Sequence, residues 1–315
     1  MSAPDILAFG EPLLEFNQRP GEQPPLYLKG HGGDTSNAAI AAARSGASVG
    51  YITGIGADAF GEDFLALWRA EGVDTATVRV DAAAHTGIYF VTHTAKGHAF
   101  TYFRAGSAAS RMAPSTMPED AIRSAKVLHL SGISQAISGS AADAGFHAMA
   151  VARAAGVRVS YDTNLRLRLW AIERARAVIH AAIAMADIAL PSLDDAVALT
   201  GLEKPDAIAD FYLRLGAPLV ALKLGKDGVL LAEPHARHRI APHQVQAVDA
   251  TGAGDTFAGA FLARLVAGDA PHDAAIYANA AAALATTGYG AVAPIPREAA
   301  VRALLARSGL SRSPG

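Results

Sequence analysis

Short hydrophobic runs separated by turn residues occupy the N-terminal part of the chain. The run 6–9 is wholly apolar, too short for a helix and closed by a glycine, so it predicts a buried strand. The runs 13–16 and 26–28 are partly apolar and lie between turns rich in proline and glycine, which predicts strands of a half-exposed sheet. The alanine-rich run 37–45 predicts a helix, and 49–53 predicts the next strand.

The pattern changes between residues 87 and 104. Two runs rich in aromatic and β-branched residues, 88–91 and 100–103, flank turn residues at Lys96 and Gly97. This arrangement predicts a β-hairpin.

From residue 125 onward, strand-like and helix-like segments alternate regularly. Four apolar runs predict strands, at 127–130, 157–161, 188–190 and 219–222. Helices are expected between them, for example at 141–155 and 174–185. Such alternation is typical of right-handed strand–helix–strand units on a parallel sheet. We therefore expect an α/β protein with one domain over 1–315 and a small β appendage built from insertions at about 11–33 and 86–106.

Composition narrows the class of protein. Hydrophobic residues make up 51% of the chain and charged residues 18%, which fits a large buried core. The formal net charge is −2 without a basic stripe, so neither nucleic acid nor a membrane is expected as a partner. The chain has no cysteine, which excludes disulfides and thiolate chemistry. With no apolar leader in the pattern, we expect a cytoplasmic protein. His235, His238 and His243 lie in a polar stretch between predicted strands and are expected to be solvated.

The segment 249–263 carries the strongest chemical signal. Gly252, Ala253 and Gly254 form a turn without bulky side chains, so backbone N–H groups can approach a ligand closely. The run after them is helical in pattern, and a helix N-terminus favours an anion such as phosphate. Asp255 places a carboxylate beside that anion, where it can take a proton from an attacking hydroxyl. The structural alternative is that Asp255 and Thr256 only cap the helix.

A second glycine pattern indicates a different class of protein. Gly54-x-Gly56-x-x-Ala59 follows a predicted strand and has Asp74 further on, as in dinucleotide-binding proteins. That fingerprint usually lies on the first strand, whereas a strand and a helix precede it here. The segment also fits a loop that turns into a helix, so an NAD(P)-dependent oxidoreductase stays open as the rival class. The chain contains no Gly-x-x-x-x-Gly-Lys-Ser/Thr, which excludes a P-loop ATPase.

Two further segments permit both a structural and a ligand-binding interpretation. Gly32 and Gly33 precede the alanine-rich helix and fit a capped helix start, or a close contact with ligand hydroxyls by Asp34 and Asn37. The segment 223–228 fits a tight hairpin, or a surface for the ribose or base of a nucleotide.

Two arginines follow the predicted strand 157–161. Arg166 and Arg168 lie among apolar residues at the edge of the sheet where α/β proteins bind ligands. They indicate an anionic ligand or, alternatively, a surface ion pair. We rank Arg168 below Arg166 as a ligand.

Together these motifs resemble the ribokinase-like (PfkB) carbohydrate kinase family over nearly the whole chain. The segment 249–255 is similar to the family's signature Asp-Thr-Gly-Ala-Gly-Asp, with Ala250 between Asp249 and Thr251. The Gly32-Gly33 turn and the segment 54–61 resemble its N-terminal glycine signatures.

Within the family, the sequence looks most like the group of 2-keto-3-deoxygluconate kinases. The resemblance lies in four segments, 32–37, 102–109, 128–133 and 162–170. The last one usually reads Asn-Tyr-Arg-Pro-x-Leu-Trp in that group. Here Leu165 and Leu167 replace the tyrosine and the proline, whereas Arg166 is kept.

The resemblance implies a ribokinase-like three-layer parallel-sheet core with a small β-sheet lid. It implies ATP as phosphate donor, Mg²⁺ as metal, a monovalent cation as an option, and a homo-oligomer formed through the lid. Asp255 would be the base, with Gly252, Ala253 and Gly254 as the anion hole. The sugar acid would contact Gly32, Gly33, Asp34, Asn37, Tyr89, Tyr102, Phe103, Arg104, Arg166 and Asp255. The nucleotide would lie along Asn164, Ser192, Lys223, Gly225, Gly228, Gly252, Gly254 and Asn279. Asp195 would contact the metal through water, because Ser192 and Asp195 stand where the family often has Asn-x-x-Glu.

The leading functional hypothesis is therefore ATP-dependent phosphorylation of 2-keto-3-deoxygluconate at its terminal hydroxyl, giving the 6-phosphate. A related kinase for fructose, ribose or 5-dehydro-2-deoxygluconate is the alternative. An oxidoreductase, and a kinase-like protein that only binds sugar, are the hypotheses from other classes.

Overall fold

The computed structural model describes residues 3–19, 21–22, 24–94 and 97–308. The strands within these residues are β1 (Ile6–Phe9), β2 (Leu13–Gln18), β3 (Tyr27–Gly32), β4 (Val49–Gly56), β5 (Val73–Asp74), β6 (Val78–Asp81), β7 (Ile88–Thr94), β8 (Gly97–Phe103), β9 (Val127–Ser131), β10 (Arg158–Asp162), β11 (Ile188–Ala189), β12 (Leu219–Lys223), β13 (Val229–Glu233) and β14 (Ala236–Ile240).

The α-helices of the described residues alternate with these strands. They are α1 (Asp34–Arg44), α2 (Ala59–Ala70), α3 (Glu119–Ser124), α4 (Gly132–Ala136), α5 (Gly139–Ala154), α6 (Ile172–Ile183), α7 (Leu193–Thr200), α8 (Pro205–Leu215), α9 (Ala253–Val266), α10 (Pro271–Ala285) and α11 (Glu298–Arg307). Short 3₁₀ turns occur at Ala109–Arg111, Pro114–Thr116 and Gly225–Asp227. None of the helices in the described ranges is long and apolar enough to cross a membrane.

The larger sheet has ten strands in the order β14-β13-β12-β11-β10-β9-β1-β4-β5, with β6 also paired to β4. The strand pairs from β12 to β4 in this order are parallel, and so are the pairs of β4 with β5 and with β6. Strands β13 and β14 extend the sheet at one edge with antiparallel pairs. Helices cover both faces, because successive strand residues point to opposite sides. In β1, Ile6 and Ala8 enter one hydrophobic cluster and Leu7 and Phe9 enter the other. The result is the three-layer α/β arrangement of ribokinase-like proteins.

The smaller sheet, which we call the lid, has four strands in the order β3-β2-β7-β8. Its strands fall within the two insertions expected from the sequence. One face packs on the core: the Phe16 ring lies 5.8 Å from the ring of Phe60 on α2, edge to face. Asp63 on the same helix accepts from Lys29 at 2.8 Å. The opposite face carries Glu15, Tyr89, Tyr102 and Phe100 by strand alternation.

Several sequence-based boundaries differ from the structure. The first helix begins at Asp34 rather than at residue 37, because the Gly33 turn lies directly before it. His238 lies within edge strand β14 and not in a loop between strands. The turn residue Lys96 is outside the described residues, although β7 and β8 pair as the expected hairpin.

Candidate active site

The start of α9 leaves backbone N–H groups unpaired. Gly252, directly before the helix, has φ 75°, and a Cβ on it would lie 2.9 Å from the carbonyl oxygen of Ala291, so only glycine fits here. The N–H of Thr256 bonds back to the Gly252 carbonyl at 2.8 Å. The N–H of Ala253 bonds to the Ala250 carbonyl at 3.2 Å, so Ala253 does not offer its N–H to an anion as expected from the sequence. In the described part of the chain, the first-turn N–H groups of Gly254 and Asp255 lack an intrahelical acceptor. Helix N-termini of this kind bind phosphate.

Close packing of α1 on α9 brings Asp255 to Asn37. A Cβ on Gly259 would lie 2.0 Å from the carbonyl oxygen of Ala38, so the absence of a side chain lets the two helices touch. Asn37 Nδ2 donates to Asp255 Oδ2 at 2.8 Å. Asp255 therefore bonds another helix and not a backbone N–H of its own, unlike a helix cap. Its Oδ1 has no hydrogen-bond partner in the described part of the chain.

The environment of Asp255 suits a general base. Burial, and next the negative charge of Asp34, raise the pKa of Asp255 from 3.8 to about 7, although the Asn37 hydrogen bond acts in the other direction. A base is most effective when its pKa lies near the working pH.

A chain of polar contacts ties the end of β10 to the N-terminus of α9, where the anion hole is expected, and to α1. Lys223 Nζ donates to Asp162 Oδ2 at 2.5 Å and lies 3.5 Å from the position of a Cβ on Gly254, so its charge lies beside the hole. Asn164, the one non-glycine described residue with a positive φ (29°), donates through Nδ2 to Asp34 Oδ2 at 2.8 Å. Buried Asp34 Oδ1 and Asn37 Oδ1 have no partner among the described residues, which leaves them for ligand hydroxyls.

Asp195 fixes the segment after β10. Its Oδ2 accepts from Thr163 Oγ1 and from the N–H of Leu165, both at 3.0 Å. Ser192 caps the same helix, α7, by accepting from the N–H of Asp195 at 3.3 Å. The second carboxylate oxygen of Asp195 has no described partner and can accept from a water. In the described ranges, no group of three or more His, Cys, Asp or Glu side chains is arranged to hold a metal ion.

Three of the expected nucleotide residues, Gly225, Gly228 and Asn279, lie at the β12–β14 edge. Gly225 has φ 60° in the turn between β12 and β13, which confirms the hairpin interpretation of the backbone. Gly228 has φ 88°, and a Cβ there would lie 2.0 Å from the carbonyl oxygen of Ile240. Asn279 Nδ2 on α10 donates to the Ala241 carbonyl at 2.8 Å, directly after β14.

The lid brings two of the expected aromatic residues together. The rings of Tyr89 and Tyr102 stack at 5.4 Å. The Tyr89 hydroxyl donates to Glu15 Oε2, and it lies 3.1 Å from the position of a Cβ on Gly32. Phe103 is on the other face of the lid, with its ring 6.0 Å from that of Phe90. The structure therefore separates Phe103 from Tyr89 and Tyr102.

The two expected arginines have different surroundings. Arg104 donates through Nη2 to Glu11, which is 1% exposed and also accepts from Ser107 Oγ at 3.0 Å. Burial raises the pKa of Glu11, and the Arg104 charge opposes that effect. The buried Nε of Arg104 has no described partner. Arg166 is exposed, and its Nη1 donates to the Leu165 carbonyl at 2.8 Å.

The backbone at Gly33 brings the start of α1 close to Glu11. Gly33 has φ 108°, and a Cβ there would lie 2.4 Å from the carbonyl oxygen of Glu11. The residue directly before α1 is therefore held against the chain segment that leads from β1 to the lid.

Sequence reasoning missed three acidic residues of this region, Glu11, Glu15 and Asp162. Glu11 and Asp162 each lie at the carboxyl end of a buried strand, and an acidic residue at that position is the signal that could have identified them. Glu15 lies within a half-exposed strand, where only its contact with Tyr89 distinguishes it.

The glycine pattern at 54–59 serves the fold and does not form a dinucleotide site. A Cβ on Gly54 would lie 2.6 Å from the Ala108 carbonyl oxygen, and one on Gly56 would lie 2.3 Å from Asp58 Oδ2. Asp58 caps α2 by accepting from the N–H of Gly61 at 2.8 Å. The glycines accommodate neighbouring parts of the chain, which corrects the oxidoreductase interpretation.

A mostly parallel sheet, a small β-sheet lid, and a carboxylate at the N-terminus of α9 are the features of a ribokinase-like phosphotransferase. The chain belongs to the pfkB family of carbohydrate kinases, whose model matches residues 5–298. It is therefore an enzyme, a carbohydrate kinase.

Relatives named for two different substrates have similar sequence identity to this chain. The chain is 35% identical over 307 residues to 2-dehydro-3-deoxygluconokinase of Thermoproteus tenax, covering 93% of this chain and 92% of that protein. It is 34% identical over 316 residues to fructokinase-1 of Oryza sativa subsp. japonica, covering 95% and 97%. The solved structure of fructokinase with bound ATP from Xylella fastidiosa superposes with a TM-score of 0.89 at 25% identity, covering 96% of this chain and 98% of that one.

Proposed function

We propose that this kinase transfers the γ-phosphoryl group of ATP to the terminal hydroxyl of 2-keto-3-deoxygluconate, giving the 6-phosphate. The main support for a sugar acid as substrate is the position of Arg166. Its exposed guanidinium has no ion-pair partner in the described part of the chain, and its charge lowers the pKa of Asp34, which burial raises overall. A cation without a counterion beside the hydroxyl-binding residues favours a substrate carboxylate, which arginine can bind with two hydrogen bonds.

In the proposed reaction, Asp255 Oδ1 accepts the proton of the terminal hydroxyl. The hydroxyl oxygen forms a bond to the γ-phosphorus, and the bond from that phosphorus to the β–γ bridging oxygen breaks, so ADP leaves. The N–H groups of Gly254 and Asp255 and the Lys223 ammonium stabilise the negative charge on the phosphoryl oxygens.

A bound Mg²⁺ would supply positive charge that neutralises the nucleotide phosphates. The donor set fits this role through water, because Mg²⁺ usually keeps several waters and binds few protein groups directly. Asp195, with one oxygen free in the described residues, is the side chain we assign to that shell. Ser192, Gly225, Gly228 and Asn279 would line the nucleotide along the β12–β14 edge.

The sugar would be enclosed between α1 and the lid. Asp34 and Asn37 offer polar groups from the core, and Gly32 and Gly33 allow the backbone to approach closely. Asn164, expected at the nucleotide, is assigned to the sugar side instead, because its Nδ2 donates to Asp34. Tyr89 and Tyr102 would cover the other side. Arg104, with a buried Nε that has no described partner, could reach the same carboxylate as Arg166.

Fructose is the second candidate, for a specific reason. The Glu11 carboxylate already pairs with Arg104, and Glu15 and Asp34 add acceptors suited to neutral hydroxyls. If these charges dominate, a neutral ketose is preferred over a sugar acid.

Purified protein with ATP and Mg²⁺ separates the two substrates. We expect a higher kcat/KM for 2-keto-3-deoxygluconate than for fructose, with ADP release dependent on sugar. Arg166→Ala should lower kcat/KM for the acid by about ten- to a hundredfold, as expected for loss of a charge-assisted contact. Activity on fructose should change far less. Preference of the wild-type protein for fructose, or an equal loss on both sugars, would refute the sugar-acid assignment.

We further propose a homo-oligomer formed through the lid and action in the cytoplasm, where ATP is available. The lid face that carries Glu15 and Tyr89 exposes Leu28 at 59% and Tyr102 at 42%, an apolar surface suited to a second copy of the chain. Sedimentation of the wild-type protein and a Leu28→Lys variant tests this, because the charge should shift the protein towards monomer.

A further inference from the structure

Arg168 reaches from the core to the lid. Its guanidinium carbon lies 5.8 Å from the centre of the Phe100 ring on β8. Both side chains are exposed at the surface of the protein. Within the described ranges Arg168 has no ion pair and no hydrogen bond, so the ring is its specific neighbour. An arginine over an aromatic face is attracted by the electrons of the ring.

The loop that carries Arg168 is fixed at both ends. Leu165 and Trp170 are 8% and 7% exposed and anchor the loop in the core. Between them, the N–H of Leu169 bonds to the Arg166 carbonyl at 2.9 Å and closes a turn. The turn, rather than an extended segment, directs Arg168 towards the lid while its base stays in place.

Phe100 is the outer member of a row of stacked rings. Its ring stacks on Tyr102 at 6.4 Å, and Tyr102 stacks on Tyr89 at 5.4 Å. The inner end of the row, Tyr89, bonds Glu15 beside Gly32. The row therefore connects Arg168 at the protein surface with the expected sugar position.

We propose that Arg168 and Phe100 form a lid latch, in which Arg168 is a positioning residue that holds the row of rings over the sugar. This inference rests on the proposed function of the site. Because the contact joins core and lid, its free energy favours the closed arrangement that binds the sugar and excludes water from the γ-phosphate. Arg168 acts through the rings and does not bind the substrate carboxylate.

Kinetics of Arg168→Ala, Phe100→Ala and the double variant test the latch. An exposed cation–π contact predicts an increase in the sugar KM of about two- to fivefold in each single variant, with kcat and the ATP KM nearly unchanged. Sugar-independent ATP hydrolysis, relative to transfer, should rise by a similar factor. The double variant should lose no more sugar affinity than either single variant. Arg168→Lys, which keeps the positive charge, should keep a sugar KM close to that of the wild-type protein. Arg158→Ala, an exposed arginine at the other end of β10, is the matched control.

Three kinetic outcomes would overturn the latch. They are an unchanged sugar KM in Arg168→Ala, additive losses in the double variant, and a loss confined to acid sugars, which would place Arg168 on the substrate itself. Hydrogen exchange of the β8 amides without sugar or ATP gives a readout independent of activity. It should accelerate in Arg168→Ala and Phe100→Ala, and equal exchange in wild type and variants would overturn the latch. A wild-type protein that phosphorylates neither sugar would instead refute the proposed function.

Discussion

Replacement of Asp255 by asparagine separates a catalytic base from a structural carboxylate. Asparagine keeps the size and a hydrogen bond to Asn37 but cannot take a proton. General-base catalysis contributes about 10²- to 10⁴-fold, so we expect kcat to fall by that factor while ATP binding persists. In the wild-type protein, kcat/KM should fall as the pH decreases below about 7, the value to which burial and Asp34 raise the pKa of Asp255.

The same raised pKa predicts a gain in stability on substitution. A carboxyl group that binds its proton more tightly in the folded protein favours folding at low pH, and this contribution disappears as the pH rises from about 4 to about 7. Above pH 7 the ionised carboxylate is therefore a cost of at most about 4 kcal/mol, which solvent screening of the partly exposed side chain reduces. Asparagine avoids that cost.

A coupled assay of ADP release at saturating sugar measures kcat, calorimetry measures ATP binding, and thermal unfolding at pH 5 and pH 8 measures stability. We expect Asp255→Asn to unfold at a higher Tm than the wild-type protein at pH 8, with a smaller difference at pH 5. The structural interpretation predicts the reverse, a nearly normal kcat and a modest loss of stability. A kcat within about threefold of wild type is far from the 10²- to 10⁴-fold loss expected for a general base and would refute the catalytic role.

Three further substitutions test the parts around Asp255. Lys223→Met should raise the ATP KM by about ten- to a hundredfold and move the acid limb of the pH profile to higher pH, because the Lys223 charge lowers the pKa of Asp255; an unmoved limb would contradict this. Gly259→Ala should cost about 1–3 kcal/mol in denaturant unfolding and lower kcat, because its Cβ would push α1 away from α9; normal kcat would mean that the Asn37 contact is dispensable. Glu11→Ala should cost about 3–5 kcal/mol by leaving Arg104 without its buried counterion, whereas Glu119→Ala on the surface should leave Tm nearly unchanged; equal Tm values for the two would contradict the buried pair.

Sequence patterns predicted the layers of the fold well. Short apolar runs alternating with amphipathic stretches predict buried strands and covering helices, and both sheets contain strands where these runs occur. The family was also accessible from the sequence, because the turn 252–254 followed by Asp255 is a local motif. A motif of this kind consists of consecutive residues, so it can be recognised without knowing the tertiary structure.

The sequence also contained a fact that the prediction did not use. Tyr102 and Phe103 are consecutive in a strand, so they must point to opposite faces of the lid. Only one of them can face the cleft, and the structure shows that Tyr102 shares a face with Tyr89. The contact of β7 with β2 decides which face is inward, and that pairing joins residues far apart in the chain.

Pairings between distant residues came only from the tertiary structure. Asn37 and Asp255 are 218 positions apart, and they meet because glycine at 259 lets two helices touch. Glu11 and Arg104 meet across the two crossings between core and lid, and Arg168 meets Phe100 across the cleft. The pKa of Asp255 depends on burial and on charges brought by other elements. The chain by itself determined its helices and strands and the glycine turn before α9. The packing of those elements decided which charges are neutralised and which remain for a ligand, because electrostatic interactions act through space and not along the sequence.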